Sequence, residues 1–317
     1  MLRVVAVIRN ARRAGIALIL ALVTGMEPAS AQEFSTWSAP ENIGQVVNSG
    51  STDGCPFISK SELTLFFASN RTGGYGGLDI WVTQRDSPYD PWETPRNAGP
   101  QINGPGNELC STLAINGHHL LFVSDRPGGC GAQDLYVARR RDKRDDFGWE
   151  APENLGCVVN SSSNDFTPSL FEDEATGEMI LYFSSNRPGG PGGTDIYSST
   201  LDSSGNFGLA MLDWALSTVA DDQRPNVRKD GLEIFFDSNR SGSLGGSADL
   251  WMSTRTNTTD PWSPPVNITQ VNSGATEGRP SLSFDGQSLY FMSSRAGGFG
   301  GIDIYRAART KAGANEP

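Results

Sequence analysis

The chain has 317 residues, a formal net charge of −11 at pH 7, and 37 glycines and 19 prolines. An acidic protein lacks the clustered positive charge that attracts nucleic acids and anionic lipids, so we expect neither as a partner. The many turn-forming residues indicate a chain of short strands.

The first residues are typical of a secretory signal peptide. Four arginines precede an apolar run over residues 16–23, and Ala29-Ser30-Ala31 follows as a small-residue cleavage site. The run is much shorter than the roughly 20 residues of a membrane-spanning helix. We therefore expect a signal peptide over residues 1–31, cleaved near Ala31, a folded domain over residues 32–310 and a disordered tail over residues 311–317. The mature protein would be periplasmic or secreted, with no membrane span.

One phrase recurs five times in the rest of the chain. The first copy runs from Ser69-Asn70-Arg71, through a glycine-rich turn, to Asp79-Ile80-Trp81. The arginine and the final aspartate of the copies are Arg71, Arg126, Arg187, Arg240 and Arg295, and Asp79, Asp134, Asp195, Asp249 and Asp303. The aspartates recur every 54 to 61 residues, which is a period typical of propeller blades.

Each period predicts four strands. In the last copy, alternating apolar residues mark strands over residues 280–284, 288–293 and 303–307, and a Trp-x-x-Pro segment such as 262–265 supplies the fourth. The fold class is therefore all-β: a five-bladed propeller with four antiparallel strands per blade. The segment near Trp37 would supply the outer strand of the fifth blade and close the ring, which protects the sheet edges.

The segment over residues 207–220 is irregular, because it lacks the Trp-x-x-Pro spacing. We expect Trp214 to be a displaced substitute for the missing tryptophan. A function that breaks the symmetry of the repeat is expected near this segment.

The repeated phrase Ser-Asn-Arg-x-Gly-Gly-x-Gly-Gly-x-Asp-Ile-Tyr, with its upstream acid and Asp-Gly hairpin, resembles the TolB-type, or WD40-like, propeller repeat of bacterial envelope proteins. The resemblance covers nearly all of residues 32–310. It implies a periplasmic propeller of a kind that mostly acts as a platform for protein interactions.

An acid begins each repeat, and these acids would form a ring where the inner strands line the channel. They are Asp53, Glu108, Asp165, Asp222 and Glu277. A carboxylate ring can bind a cation or supply the paired acids of a glycosidase. The stronger interpretation is structural, because each acid can pair with its repeated arginine through two parallel hydrogen bonds.

The position two residues after each acid breaks the symmetry, since it reads Cys55, Cys110, Thr167, Arg224 and Arg279. Arg224 and Arg279 on neighbouring blades would favour a carboxylate or a sugar acid near the channel mouth, or else would neutralise the adjacent acids. Four cysteines allow three pairings; we favour Cys55 with Cys110 and Cys130 with Cys157.

Three functions remain open. The leading prediction is a monomeric platform of the cell envelope that binds a protein or a carbohydrate-type ligand. The alternative is a glycan-acting enzyme, a hydrolase or lyase, with its site at the channel mouth, and the third is a lectin with one site per blade. We expect no cofactor and no metal.

Overall fold

Twenty strands form five antiparallel sheets of four strands each in the computed structural model, which describes residues 34–173 and 176–312. This arrangement confirms the five-bladed, all-β propeller. The predicted signal peptide and residues 313–317 of the predicted tail lie outside the described residues. Lys311, which we assigned to the tail, forms an isolated antiparallel bridge with Phe34.

The strands follow one another from the channel outward in each blade. The first blade contains β2 (Asp53–Ile58), β3 (Thr64–Ser69), β4 (Asp79–Gln84) and β5 (Arg96–Asn97). The second contains β6 (Glu108–Leu113), β7 (His119–Ser124), β8 (Asp134–Arg139) and β9 (Glu153–Asn154). The third contains β10 (Asp165–Glu172), β11 (Met179–Ser185), β12 (Asp195–Thr200) and β13 (Met211–Leu212).

The fourth blade contains β14 (Asp222–Val227), β15 (Glu233–Ser238), β16 (Asp249–Thr254) and β17 (Val266–Asn267). The fifth contains β18 (Glu277–Leu282), β19 (Ser288–Ser293), β20 (Asp303–Ala308) and the N-terminal strand β1 (Glu41–Asn42). The inner strands β2, β6, β10, β14 and β18 contact one another in cyclic order, so the ring is closed.

The N-terminal segment closes the ring as predicted. Strand β1 pairs with β20, with Glu41 opposite Arg306. The backbone N–H of Ser38 donates to the carbonyl of Ala308, and that of Ile43 donates to Ile304. The last blade is therefore built from both ends of the described chain, which protects the edge of its third strand.

The outer strands are shorter than the Trp-x-x-Pro segments we predicted. Regular pairing in four blades is confined to the two residues that follow the proline, as at Arg96–Asn97 after Pro95. Proline has no N–H to donate to a neighbouring strand, so the ladder begins only after it.

The prediction for Trp214 was wrong. Trp37, Trp149 and Trp262 are buried, whereas 70% of the surface of Trp214 is exposed. Trp214 follows β13, so it lies beyond the outer strand and does not reach the space that the buried tryptophans fill.

The repeated arginine ties together the parts of each blade. In the third blade, Nη2 of Arg187 donates to Oδ1 of Asp165 and to the carbonyl of Val159, both at 2.6 Å. Its Nε donates to the hydroxyl of Ser185 at 2.9 Å. The guanidinium also lies over two rings, with its carbon 5.3 Å from the centroid of Phe183 and 4.8 Å from that of Tyr197.

The same arginine pairs with the acid in the other four blades. The nitrogen–oxygen distances are 2.5 Å for Arg71 and Asp53, 3.3 Å for Arg126 and Glu108, 2.5 Å for Arg240 and Asp222, and 3.0 Å for Arg295 and Glu277. The predicted parallel pair of bonds is absent from the third blade, because the second oxygen of Asp165 accepts from the amide and hydroxyl of Ser161. The guanidinium instead divides its donors among a carboxylate, a carbonyl and a hydroxyl.

Removal of one of these arginines should destabilise the protein strongly. We expect Arg240→Met to lower the free energy of unfolding by about 3 kcal/mol, because Asp222 would remain buried without its charged partner. Arg141→Met is the matched control, since 94% of the Arg141 side chain is exposed and its loss should cost less than about 0.5 kcal/mol. Urea unfolding near neutral pH measures both. Equal losses would show that the paired arginine does not stabilise the blade.

Candidate functional site

The end of the channel at which the inner strands begin is called here the acid face. It carries the predicted carboxylate ring of Asp53, Glu108, Asp165, Asp222 and Glu277, each at the first position of an inner strand. All five side chains are fully buried and all five are paired with their arginines. The ring is thus engaged within the blades and presents no exposed carboxylate to a ligand.

Arg224 and Arg279 meet near the axis, where they share one carboxylate, Asp237. Nη1 of Arg224 donates to Oδ2 of Asp237 at 2.5 Å, and the backbone N–H of Arg279 donates to Oδ1 at 2.9 Å. Burial raises the pKa of Asp237, and Arg224 opposes that shift. Burial, together with the positive charge of Arg224, lowers the pKa of Arg279 to about 9. The cluster therefore holds two cationic groups for one carboxylate.

Asp237 was missed by sequence reasoning. It occupies the position before the repeated serine of β15, where the other blades have Ala68, Val123, Ser184 and Met292. The sequence did contain a signal for Asp237, because a charged residue stands there at a position that is apolar or small in the other blades. Packing of the fourth blade against the fifth places it beside Arg279, which is 42 residues away in the chain.

The residues at the symmetry-breaking position all have strained backbones. Their φ angles lie between 49° and 58°, and none of them is glycine. Each lies where the register between the first and second strands shifts, as in a β-bulge. The residues are Cys55, Cys110, Thr167, Arg224 and Arg279. Such a conformation costs a non-glycine residue about 1 kcal/mol or more, so the side chains are retained at a cost in stability.

Both predicted disulfides are present. Cys55 is joined to Cys110 on the neighbouring inner strand, and Cys130 is joined to Cys157. The first bond lies against the arginine cluster, since Nη1 of Arg279 is 2.7 Å from the sulfur of Cys55. In residues 34–173 and 176–312, no group of three or more His, Cys, Asp or Glu side chains is placed to hold a metal ion.

The opposite end of the channel is called here the hairpin face, because the hairpins between first and second strands lie there. It opens into a cavity of about 850 Å3, within the range of small-molecule sites. Hairpins of the first, second, fourth and fifth blades line this cavity. Their lining residues include Lys60, Asn116, Lys229 and Phe284. The sequence repeat did not reveal this cavity.

Positive charge is concentrated in the cavity. Lys60 and Lys229 place their ammonium nitrogens 4.2 Å and 4.5 Å from the ring centroid of Phe284. Lys143 and Arg144 line the same cavity and are exposed. None of these four cations forms an ion pair with any carboxylate of the described residues.

Two interacting carboxylates lie in the hairpins that carry Lys60 and Phe284. Burial and the nearby charge of Asp285 raise the pKa of Glu62, and Arg85 and Arg306 oppose that shift. Burial would raise the pKa of Asp285, but hydrogen bonds from Ser283 and Gln287 outweigh it and lower the pKa. Glu62 therefore keeps its proton to a higher pH than an ordinary glutamate does, whereas Asp285 loses its proton at a lower pH than an ordinary aspartate does.

Glu62 also breaks the repeat. Its φ is 59°, and the equivalent hairpin positions are Gly117, Gly177, Gly231 and Gly286, all with positive φ. Glycine adopts this conformation without strain, whereas glutamate does not. Its side chain is largely buried, with 18% exposed, and one oxygen lies 3.9 Å from a guanidinium nitrogen of Arg85.

The described residues contain no helix long and apolar enough to cross a membrane.

No protein-family model and no curated protein sequence matches the chain. The fold is similar to several solved structures. An arabinanase from Bacillus subtilis matches with a TM-score of 0.57 and 14% identity, over 85% of this chain and 97% of the arabinanase.

The catalytic domain of a GH62 α-L-arabinofuranosidase from Coprinopsis cinerea matches with a TM-score of 0.51 and 13% identity, over 90% of this chain and 99% of that domain. A candidate TolB from Agrobacterium tumefaciens matches with a TM-score of 0.47 and 17% identity, over 84% of this chain and 80% of its own. At such low identity, the likenesses to the arabinanase and to the arabinofuranosidase show a common propeller fold and no more.

The comparisons contradict our leading functional prediction, a platform for protein interaction or ligand binding in the cell envelope. The solved propellers to which this chain is similar are mainly glycoside hydrolases.

The shifted pKa of Glu62 predicts a pH-dependent stability. The pKa of Glu62 in the folded state is raised above the ordinary value of 4.5. At pH values between the ordinary pKa and the raised one, the folded state keeps a proton that the unfolded state has lost, so the free energy of unfolding falls as the pH rises through that range. Glu62→Gln cannot ionise, so its advantage over the wild type in free energy of unfolding should increase from about pH 4 to about pH 7.

Urea unfolding at several pH values measures this difference. Glu153→Gln is the control, since 71% of that side chain is exposed and its variant should follow the wild type at every pH. A Glu62→Gln advantage that stays constant with pH would contradict the assigned shift.

Proposed function

We propose that this protein is a hydrolase of acidic glycans and that it binds its substrate in the cavity of the hairpin face. The observation that carries the proposal is the set of cationic side chains that line the cavity without a described carboxylate partner: Lys60, Lys143, Arg144 and Lys229. The carboxylates of a polymer of sugar acids would supply the missing partners.

The charge of the whole chain makes this cavity distinctive. The protein carries a net charge of −11, so a cationic cavity is not a consequence of a generally basic surface. A local field of opposite sign concentrates anionic ligands at one place and repels them from the rest of the surface. This contrast favours an acidic glycan over a neutral one.

The cavity walls also fit a sugar ring. Phe57, Leu170, Leu282 and Phe284 line the cavity beside the cationic groups. Binding sites that combine apolar and aromatic walls with a few polar groups bury the ring of a ligand and fix its orientation. A pyranose ring has apolar C–H faces and polar edges, which suits this combination.

Glu62 and Asp285 are the proposed catalytic carboxyl groups. Glu62 would donate its proton to the glycosidic oxygen as the bond to the anomeric carbon breaks, and Asp285 would accept a proton from the attacking water. Neither side chain is itself among the residues that line the cavity, but their neighbours in the chain, Ser61, Leu63 and Phe284, are. The activities of the similar solved structures, which include an arabinanase from Bacillus subtilis, support hydrolysis of glycosidic bonds.

The cellular location of the protein is proposed from its sequence and its disulfides. Two disulfides are typical of an extracellular or periplasmic protein, where the environment is oxidising. We propose export through the signal peptide, a monomeric state, and descent of the repeat from the TolB-type propellers that it resembles.

The experiment is an assay of reducing-end release from polygalacturonate, an acidic polymer, and from arabinan, a neutral one. We expect release from the acidic polymer to be faster. Glu62→Gly, which introduces the residue of the other four hairpins, should fold at least as stably as the wild type and lower kcat by about 100-fold or more. Lys60→Gln with Lys229→Gln should mainly raise KM.

One control and two possible outcomes test this proposal. Glu153→Gln should retain wild-type kcat and KM, because Glu153 is exposed and is not among the residues that line the cavity. Full activity of Glu62→Gly would eliminate Glu62 as the acid. No release from polygalacturonate, or equal release from both polymers, would overturn the proposed substrate class.

A further inference from the structure

A second, much smaller void lies on the channel axis. It measures about 20 Å3 and shares Phe57, Thr112 and Asn226 with the lining of the large cavity. Its other lining residues come from the inner strands of all five blades, at the level of the Cys55–Cys110 disulfide and Arg279. A void of this size holds one water-sized species.

Three of the residues that line the void each have a buried hydrogen-bonding atom without a partner among the described residues. These atoms are Oγ of Ser111, Oγ1 of Thr167 and Nε of Arg279, and each is shielded from solvent. Ser111 as a whole is 4% exposed. Buried groups of this kind are normally satisfied, so three unpartnered ones around one void indicate a missing occupant.

Two side-chain oxygens of the residues that line the void are already engaged as acceptors. No Asp or Glu lines the void. The side-chain oxygen of Asn226 accepts from the backbone of Leu282 at 2.9 Å, and that of Ser281 accepts from Ile58 at 3.1 Å. Arg279 is always a donor, and the hydroxyls of Ser111 and Thr167 can both turn their hydrogens inward.

The chain departs from its repeat at each of these donors. Four inner strands have proline where the second has Ser111, namely Pro56, Pro168, Pro225 and Pro280. Thr167 and Arg279 occupy the position at which the first two blades carry the disulfide. Each of these three residues adds a hydrogen-bond donor to the same void, which indicates that the three donors bind one species.

The side chains around the void carry a net positive charge, which also favours an anion. Arg224 and Arg279 share only the carboxylate of Asp237, and Arg224 already pairs with it at 2.5 Å. Burial of an uncompensated guanidinium is unfavourable, and an adjacent anion would relieve that cost. The positive charge of the cluster therefore favours an anion over a water molecule in the void.

We propose that the axial void binds a single small inorganic anion, chloride, held by the hydroxyls of Ser111 and Thr167 and by Nε of Arg279. The ion bridges the inner strands of the second, third and fifth blades. This site is separate from the proposed glycan site and needs no catalytic activity, so either proposal can fail without the other.

The test compares sodium chloride with sodium gluconate at equal ionic strength, because gluconate is too large for the void. Chloride should raise the Tm of the protein until the site saturates, whereas gluconate should not. A crystal grown with bromide should show an anomalous peak between Ser111, Thr167 and Arg279.

Variants distinguish specific binding of the halide from a general effect of salt on Tm. Ser111→Ala removes one donor with little change in volume and should weaken halide binding at least tenfold, and Arg279→Gln should abolish it. Arg144→Gln is the control, because Arg144 is exposed in the large cavity and should leave the halide effect intact. Ser111→Ala keeps the test valid should Arg279→Gln fail to fold.

Two results would overturn the proposal. Equal Tm values in chloride and gluconate would show that no specific halide site stabilises the fold. A bromide-grown crystal with an ordered water at the void, and with no anomalous signal there, would assign the three donors to solvent.

Discussion

The ion pair between the repeated arginine and the acid that begins each inner strand supports the rest of this structure. A buried carboxylate without a partner would cost several kcal/mol, and in every blade the arginine supplies that partner while also bonding the adjacent loop. The guanidinium stacks on aromatic rings of the second and third strands, so one side chain connects three strands. Five copies of this unit make a rigid ring in which the remaining residues are free to vary.

A few of the positions that differ between the blades lie at the proposed sites. Glu62 replaces a hairpin glycine, Asp237 replaces a small or apolar residue, and Ser111 replaces a proline. Each change carries a cost, in backbone strain, buried charge or an unpartnered hydroxyl. Costs of this kind persist where a ligand or a reaction compensates for them, which is why we connect them with the cavity and the axial void.

Much of the fold could be predicted from the sequence, because a repeat reports the same local rules five times. The blade number and the ring closure near Trp37 followed from the period, and the Cys55–Cys110 disulfide followed from equivalent positions in neighbouring blades. That pairing left Cys130 for Cys157. The hairpin-face cavity could not be predicted, since it depends on how hairpins of four blades converge across the ring. Trp214 was misassigned because composition does not show which side of a short outer strand faces solvent. The leading function was wrong because it relied on the common role of the resembled family.

In the proposed function, the hairpin face binds the ligand, whereas the acid face only supports the fold. Hydrogen–deuterium exchange of the protein, with and without an acidic oligosaccharide such as a galacturonate oligomer, tests this proposal directly. We predict that ligand slows exchange in the hairpins around Lys60, Lys229 and Phe284, and leaves the strand starts at Asp53 and Asp222 unchanged. Protection confined to the acid face, with no change at the hairpins, would contradict this account.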